Sequence, residues 1–241
     1  PTEFGQLVAR YADDIFGIGR ELLQATQDPA GSYASVVNIG IADVVPHPLA
    51  ARLLDRIVQM DSQHARVFMG HPTELLAQLA VHKLDVVISD APINEPVHHI
   101  RAFNHLLGSS PITFLAAPAL ANALRADFPR SLHQQPLLLP TMNTVVRRAL
   151  EHWLDVLEIE PHIQTEVENP ALLMSLGELG RGAFPCLTVV ADQVMNRYHV
   201  KSIGRVDNIE ARFYAISAER RIRHPAVIAL SRTAHEDLFS T

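Results

Sequence analysis

Short apolar runs alternate with segments of helical period along most of this chain, and the alternation runs through twice. In the first pass, Val36-Val37-Asn38-Ile39-Gly40-Ile41 reads as a strand. Leu49, Leu53, Leu54, Ile57 and Val58 then mark a helix over 49–60. Strand character returns over 65–69, a helix follows over 72–82 with Pro72 suited to its first turn, and Leu84-Asp85-Val86-Val87-Ile88-Ser89 is strand again. A further strand is expected over 99–107. Near-continuous apolar strands separated by helices imply a parallel sheet covered on both faces.

The second pass begins near Pro111. Strands are expected over 112–116, 136–139, 163–167 and 184–190, with helices over 118–124, 144–157 and 170–179. The seam between the passes falls at 107–111. The tail adds a strand over 209–217 and a helix over 225–239. At the other end, Phe4, Leu7, Val8, Tyr11, Ile15, Ile18 and Leu22 recur at steps of three and four, so 4–24 reads as a helix. Its apolar stripe must pack on the body or on a second copy of the chain. Asp28-Pro29-Ala30-Gly31-Ser32 breaks it from the rest.

Composition narrows the function. The 241 residues are 48% hydrophobic and 19% charged, enough for a sizeable core. The net charge of −6 has the wrong sign for a surface that wraps nucleic acid. Cys186 is the one cysteine, so the chain holds no internal disulfide and no four-cysteine zinc site. No apolar run reaches the roughly 18 residues of a membrane span. The opening Pro1-Thr2-Glu3-Phe4-Gly5 has no signal-peptide pattern, and a cytoplasmic location is expected.

Several pieces of sequence carry a resemblance. Thr2-Glu3-Phe4-Gly5-Gln6-Leu7-Val8 resembles the segment that joins the winged helix-turn-helix to the linker helix in LysR-type transcription regulators. Glu74-Leu75-Leu76, Leu79 and Leu84-Asp85-Val86-Val87-Ile88 resemble that family's helix-to-strand signature, and Tyr214-Ala215-Ile216-Ser217 its closing strand. Longer stretches are similar to the NhaR-like subgroup of sodium-responsive activators of sodium/proton antiporter genes. They include Ile41-Ala42-Asp43-Val44-Val45-Pro46, Phe103-Asn104-His105-Leu106-Leu107-Gly108 and Arg212-Phe213-Tyr214. The resemblance implies an α/β fold of two Rossmann-like lobes of periplasmic-binding-protein type II architecture, joined by two crossovers. It divides the chain into a linker and dimerisation helix (1–31), lobe I (32–110 and 206–241) and lobe II (111–205). It further implies a homodimer that pairs through helices near 49–60 and 225–239, tetramers of the intact regulator, and DNA contact through a winged helix-turn-helix ahead of Pro1. Sodium or lithium as effector follows from the subgroup alone.

Open α/β sheets bind ligands beyond the carboxyl ends of their strands. Asp43 and Val44 follow the first strand, Asp90 follows the third, and Ser109 and Ser110 sit at the crossover. Thr141, Asn143 and Thr144 stand where a strand meets a helix. They can cap that helix, hold a polar ligand at its N-terminus, or do both. Gly182, Ala183 and Phe184 match an effector-contact region of the LysR family. Asp43 and Asp90 can supply oxygen ligands to a hard cation such as sodium, or simply close turns.

Catalytic patterns are missing. There is no GxSxG, P-loop or GxGxxG. The glycines of Gly177-Glu178-Leu179-Gly180-Arg181-Gly182 read as a helix stop rather than a phosphate loop, and Cys186 as a buried packing residue. Arg147-Arg148 reads as a solvated helix face. The 13 histidines show no tight ligand spacing, which leaves a metal site or a pH response without a pattern to carry it. No resident cofactor is expected. Two function classes remain: an effector-binding, oligomerising regulator domain, and a periplasmic-type receptor for a small polar solute. The linker-like opening helix favours the first.

Overall fold

The computed structural model describes residues 35–60, 63–93, 102–218, 225–234 and 238–239, with residues 2, 5, 8, 11, 12, 15 and 19. The expected linker helix over 4–24 lies outside these apart from isolated helical positions, as do the break at 28–32 and the histidine pair His98-His99.

The first half is built as the periodicity predicts. Strand β1 (Ser35–Ala42) is followed by helix α1 (His47–Val58), β2 (Gln63–Gly70), α2 (Pro72–Ala80) and β3 (Val86–Ser89). β1 pairs in parallel with both β2 and β3, so the chain starts in the middle and reverses direction across it. Successive residues of a strand face opposite ways. Val86 and Ile88 therefore share one core with Leu49, Leu53 and Ile57 of α1, while Val87 joins Leu75 and Leu79 of α2 in another. Gly40 lets the α2 side approach closely, since a Cβ there would lie 2.8 Å from the Leu84 side chain.

Two long strands then carry the sheet across the molecule. β4 (Phe103–Ala116) and β8 (Lys201–Ser217) pair antiparallel along nearly their whole length. One end of this ribbon joins β3 through Tyr214, Ala215 and Ile216. The other end joins β7 (Phe184–Leu187) through residues 112–115. The resulting order is β2-β1-β3-β8-β4-β7. A second, parallel pair, β5 (Pro136–Pro140) with β6 (His162–Val167), touches this sheet through a bridge between Leu137 and Ala183. The remaining helices are α3 (Pro118–Leu124), α4 (Val145–Val156), α5 (Pro170–Glu178), α6 (Thr188–Tyr198) and α7 (Pro225–Thr233). Pro48, Pro72, Pro118 and Pro170 all sit at first or second helical positions, where a missing N–H costs nothing.

Three features differ from the sequence expectation. Residues 103–116 form one continuous strand, and Pro111 stands within it rather than opening a new one. The expected seam coincides instead with an irregularity: Pro111 pairs with Glu210, but Ile112 pairs with Val206, so residues 207–209 bulge out. That bulge also hid the start of β8, because Asp207 and Asn208 interrupt the apolar alternation. Finally, the strand expected over 184–190 ends at Leu187, and Thr188-Val189-Val190 opens α6. β-branched residues favour strands, but Val190, Ala191 and Val194 are buried on one helical face, and that packing overrides the local preference.

An aromatic cluster locks the second half. Phe114 of β4 lies 5.9 Å from both Phe128 and Trp153, ring centre to ring centre. Phe114 is fully buried. Truncating it leaves a cavity that the rigid ribbon cannot close. We expect Phe114→Ala to lower stability by about 3–5 kcal/mol, read from the urea unfolding midpoint at unchanged slope.

Candidate functional site

Four loops converge at the carboxyl ends of the parallel strands: Asp43-Val44 after β1, Asp90-Ala91 after β3, Thr141 to Thr144 after β5, and Glu168-Asn169 after β6. Between them lies a cleft of about 500 Å³. Its walls include Asp43, Val44, His71, Ser89, Asp90, Asn143, Val145, Arg148 and Glu168. A narrower slot of about 80 Å³ adjoins it, with Val44, Asp90 and Glu168 common to both. The slot is walled by Ile112, Leu173, Met174, Pro185, Cys186, Leu187 and Phe213, with Thr144 at its polar end.

Local capping sets each loop. The Asp43 N–H donates to Gly70 O at 3.1 Å, which ties the β1 loop to the end of β2. His71 caps α2 through Thr73 N. Thr144 is the N-cap of α4, and its Oγ1 accepts from Arg147 N at 3.1 Å. Thr141 Oγ1 donates to Asn143 Oδ1 at 2.7 Å, and Asn143 Nδ2 donates to Glu168 Oε1 at 3.4 Å. Asn169 caps α5 by accepting from Ala171 N and Leu172 N. The first turn of α4 and the start of α5 thus form one hydrogen-bonded wall.

Asp90 crosses from the β3 loop to this wall. Burial raises its carboxyl above the ordinary value of 3.8, with the Asp43 charge adding to the rise. Opposing this, the nearby backbone N–H groups of Asp90 itself and of Val145, together with the positive charge of Arg148, favour the charged form. Val145 is the first residue of α4, so the Asp90 carboxylate faces the start of that helix across the cleft.

Of the residues expected from sequence, the cleft brings together Asp43, Val44, Asp90 and Asn143, while Thr144 lines the slot. Thr141 stands behind them as the partner of Asn143. Ser109, Ser110, Ala183 and Phe184 line neither space. Ser110 is buried, and its hydroxyl accepts from Val189 N at 3.2 Å, supplying a cap to α6 that no residue of that helix gives. Ala183 pairs with β5 through Pro136 O and Leu138 N. Gly182 lies there too, where a Cβ would meet Pro136 O at 2.7 Å. Phe184 packs on Gly177, where a Cβ would stand 2.1 Å from its ring.

The reading of Arg147-Arg148 as a solvated face needs correction. Adjacent helical residues point about 100° apart, so the two arginines have different fates. The Arg147 side chain is buried and ion-paired with Glu151 and Glu166, and it donates to Pro140 O at 2.8 Å. Arg148 faces the cleft. Arg148 and Glu168 were both missed, although the strand-end rule that selects Asp43 and Asp90 also selects Glu168 after β6.

The glycine run ends α5 as expected. Gly180 has φ +70°, and the bonds Arg181 N to Leu176 O and Gly180 N to Gly177 O form a Schellman motif. Cys186 is buried, and desolvation pushes its thiol up to about 12, so it is protonated and inert at neutral pH. Among the described residues, no group of three or more His, Cys, Asp or Glu is arranged to hold a metal ion. Among the same residues, no helix is long and apolar enough to cross a membrane.

Comparison with known proteins agrees with this fold. The family model of the LysR substrate binding domain matches residues 30–238. The chain is 31% identical to the transcriptional activator protein NhaR of Escherichia coli K12 over 241 residues, covering 100% of this chain and 78% of that protein. Among solved structures, the reduced regulatory domain of OxyR2 from Vibrio vulnificus superposes with a TM-score of 0.65 at 14% identity, covering 84% of this chain and 95% of that one. HinK, a LysR family transcriptional regulator from Pseudomonas aeruginosa, gives a TM-score of 0.65 at 15% identity, covering 98% of this chain and 81% of the other.

A raised carboxyl has a definite consequence for stability. Below the ordinary value of 3.8 Asp90 is neutral in both folded and unfolded chains, and its stability contribution is fully present. As pH rises through the folded value the unfolded chain holds fewer protons, and that contribution is lost. Asp90→Asn is therefore expected to melt higher than the parent at pH 7, with the gap closing as pH falls below 3.8. Melting curves from pH 3 to pH 8 read this directly; a variant less stable at neutral pH would show the carboxylate to be a net stabilising group.

Proposed function

The chain belongs to the LysR family of transcription regulators, and from that membership we propose that its cleft senses a monovalent cation for a cytoplasmic activator. Its fold is the periplasmic-binding-protein type II architecture of LysR regulatory domains, and it is the effector-binding domain of such a regulator. Regulators of this family act as oligomers that bind DNA and small effectors.

The finer reading is ours. Residues 32–110 and 206–241 form lobe I, residues 111–205 form lobe II, and 1–31 is a dimerisation linker. The division at 110/111 and 205/206 is supported by the register irregularity between β4 and β8. The effector enters between the lobes. Sodium or lithium binds there through the Asp43 and Asp90 carboxylates with nearby carbonyl oxygens, and the signal controls sodium/proton antiporter genes. The observation that carries this reading is the placement of Asp43 and Asp90 on neighbouring strand-end loops, facing the first turn of α4 across one cleft. The choice of ion follows from the resemblance to the sodium-responsive subgroup, and the 31% identity to the activator NhaR along this chain supports that subgroup. DNA is contacted through an N-terminal winged helix-turn-helix of the intact protein.

The chain pairs with a second copy, and the intact regulator forms tetramers. The copies meet side by side through α1 and α7, which pack on each other within the chain and expose Val58 and Ile228. Sedimentation at tens of micromolar is expected to give a dimer; a monomer would contradict this pairing.

A ligand that binds only the folded state raises its stability by mass action. At matched ionic strength, sodium and lithium chloride are expected to raise the melting temperature above that in potassium chloride, and Asp43→Ala to abolish the difference. Identical curves in all three salts, or an unchanged difference in the variant, would remove the direct cation site.

A further inference from the structure

We infer that the cleft also takes an organic cation with a short apolar tail, an alkylammonium ion whose head lies by Asp90 and Glu168 and whose tail fills the adjoining slot. This rests on the reading of the cleft as the effector site, and it names a ligand class that a bare alkali ion does not exhaust.

Shape is the first argument. The cleft and the slot share Val44, Asp90 and Glu168, so the passage from one to the other is flanked by two carboxyl groups. Beyond that passage the slot is lined mainly by apolar groups, among them Ile112, Met174 and Phe213. The Cys186 thiol on its wall is held protonated, so it adds no charge. A water needs about 10–15 Å³ of such space. A slot of about 80 Å³ thus accommodates a chain of several methylenes. An alkali ion at the passage leaves this space unused.

Charge is the second argument. The cleft is lined by the carboxylates of Asp43, Asp90 and Glu168, with Arg148 as the guanidinium and His71 beside them. A helix N-terminus at the carboxyl edge of a sheet ordinarily attracts anions. Here Thr144 already takes two N–H groups of the first turn of α4, that of Arg147 at its side chain and that of Arg148 at its carbonyl, and the Asp90 carboxylate faces the same turn. An incoming carboxylate must lie beside Asp90 and Glu168, which line both the cleft and the slot. An ammonium head instead donates to carboxylates already in place and offsets the burial of Asp90.

Calorimetric titration of the whole chain with methyl- to hexylammonium, at constant ionic strength and with butyrate as the anionic control, tests the inference. Each methylene is expected to tighten binding about fourfold until the slot is filled, the transfer value of one CH₂ group. Butyrate is expected not to bind. Asp90→Asn is expected to weaken butylammonium roughly tenfold or more, and Glu168→Gln, at an exposed position, several-fold. A flat dependence on chain length overturns the role of the slot. Butyrate binding without alkylammonium binding overturns the charge class and leaves the cleft as the effector site. Silence toward every alkylammonium ion overturns the inference, whatever sodium does. Alkylammonium binding unchanged in both variants places the ligand elsewhere and overturns the cleft reading as well.

Discussion

The antiparallel pairing of β4 with β8 is the constraint on which the rest of the molecule depends. One end of this ribbon hydrogen-bonds to β3 and the other to β7, so a single pair of strands belongs to both halves of the sheet. Its register jump at residues 207–209 bends the path between them. Because the pairing fixes where β3 and β7 stand, it also fixes the distance between the Asp90 loop and the first turn of α4. A β-bulge at such a junction reorients the strand without ending it.

In the reading proposed above, that geometry gives the cleft a means of signalling. Asp90 is carried by the β3 loop and faces Val145 and Arg148 in the first turn of α4 across the cleft. Arg52 of α1 also reaches across, donating to Val189 O of α6 at 2.6 Å. In the proposed reading an occupant at Asp90 acts where the β3 loop faces α4, between halves that also share the ribbon and one hydrophobic core. Regulation requires the occupant to bind one relative position of the halves better than another; equal affinity for both moves nothing. A coupling of about 1–3 kcal/mol between ligand and geometry is enough for a 5- to 150-fold change in affinity at a second site.

Much of this was legible in the residues. Period and strand-end position placed β1 to β3, α1, α2 and α4, and with them Asp43, Asp90 and Asn143 on the cleft and Thr144 at the adjoining slot. What stayed hidden has physical causes. The strand character of Thr188-Val189-Val190 concealed α6, whose form is decided by burial against its neighbours. Asp207 and Asn208 sit in a bulge, and a bulge erases the alternation by which strands are read. Arg147 looked solvated because an i,i+4 pair with Glu151 is compatible with an exposed face, and only the fold adds Pro140 O and Glu166 from β5 and β6. Ser110 looked like a ligand contact because nothing in the sequence announced that α6 would need its hydroxyl.

The central claim is that the effector is held between the Asp90 loop and the start of α4. Hydrogen exchange of the whole chain, with and without saturating lithium or butylammonium at matched ionic strength, tests it most directly. Slower exchange confined to amides at 43–45, 89–93 and 141–148 is the predicted result. No change at these amides with either ion, or protection centred elsewhere, would contradict it.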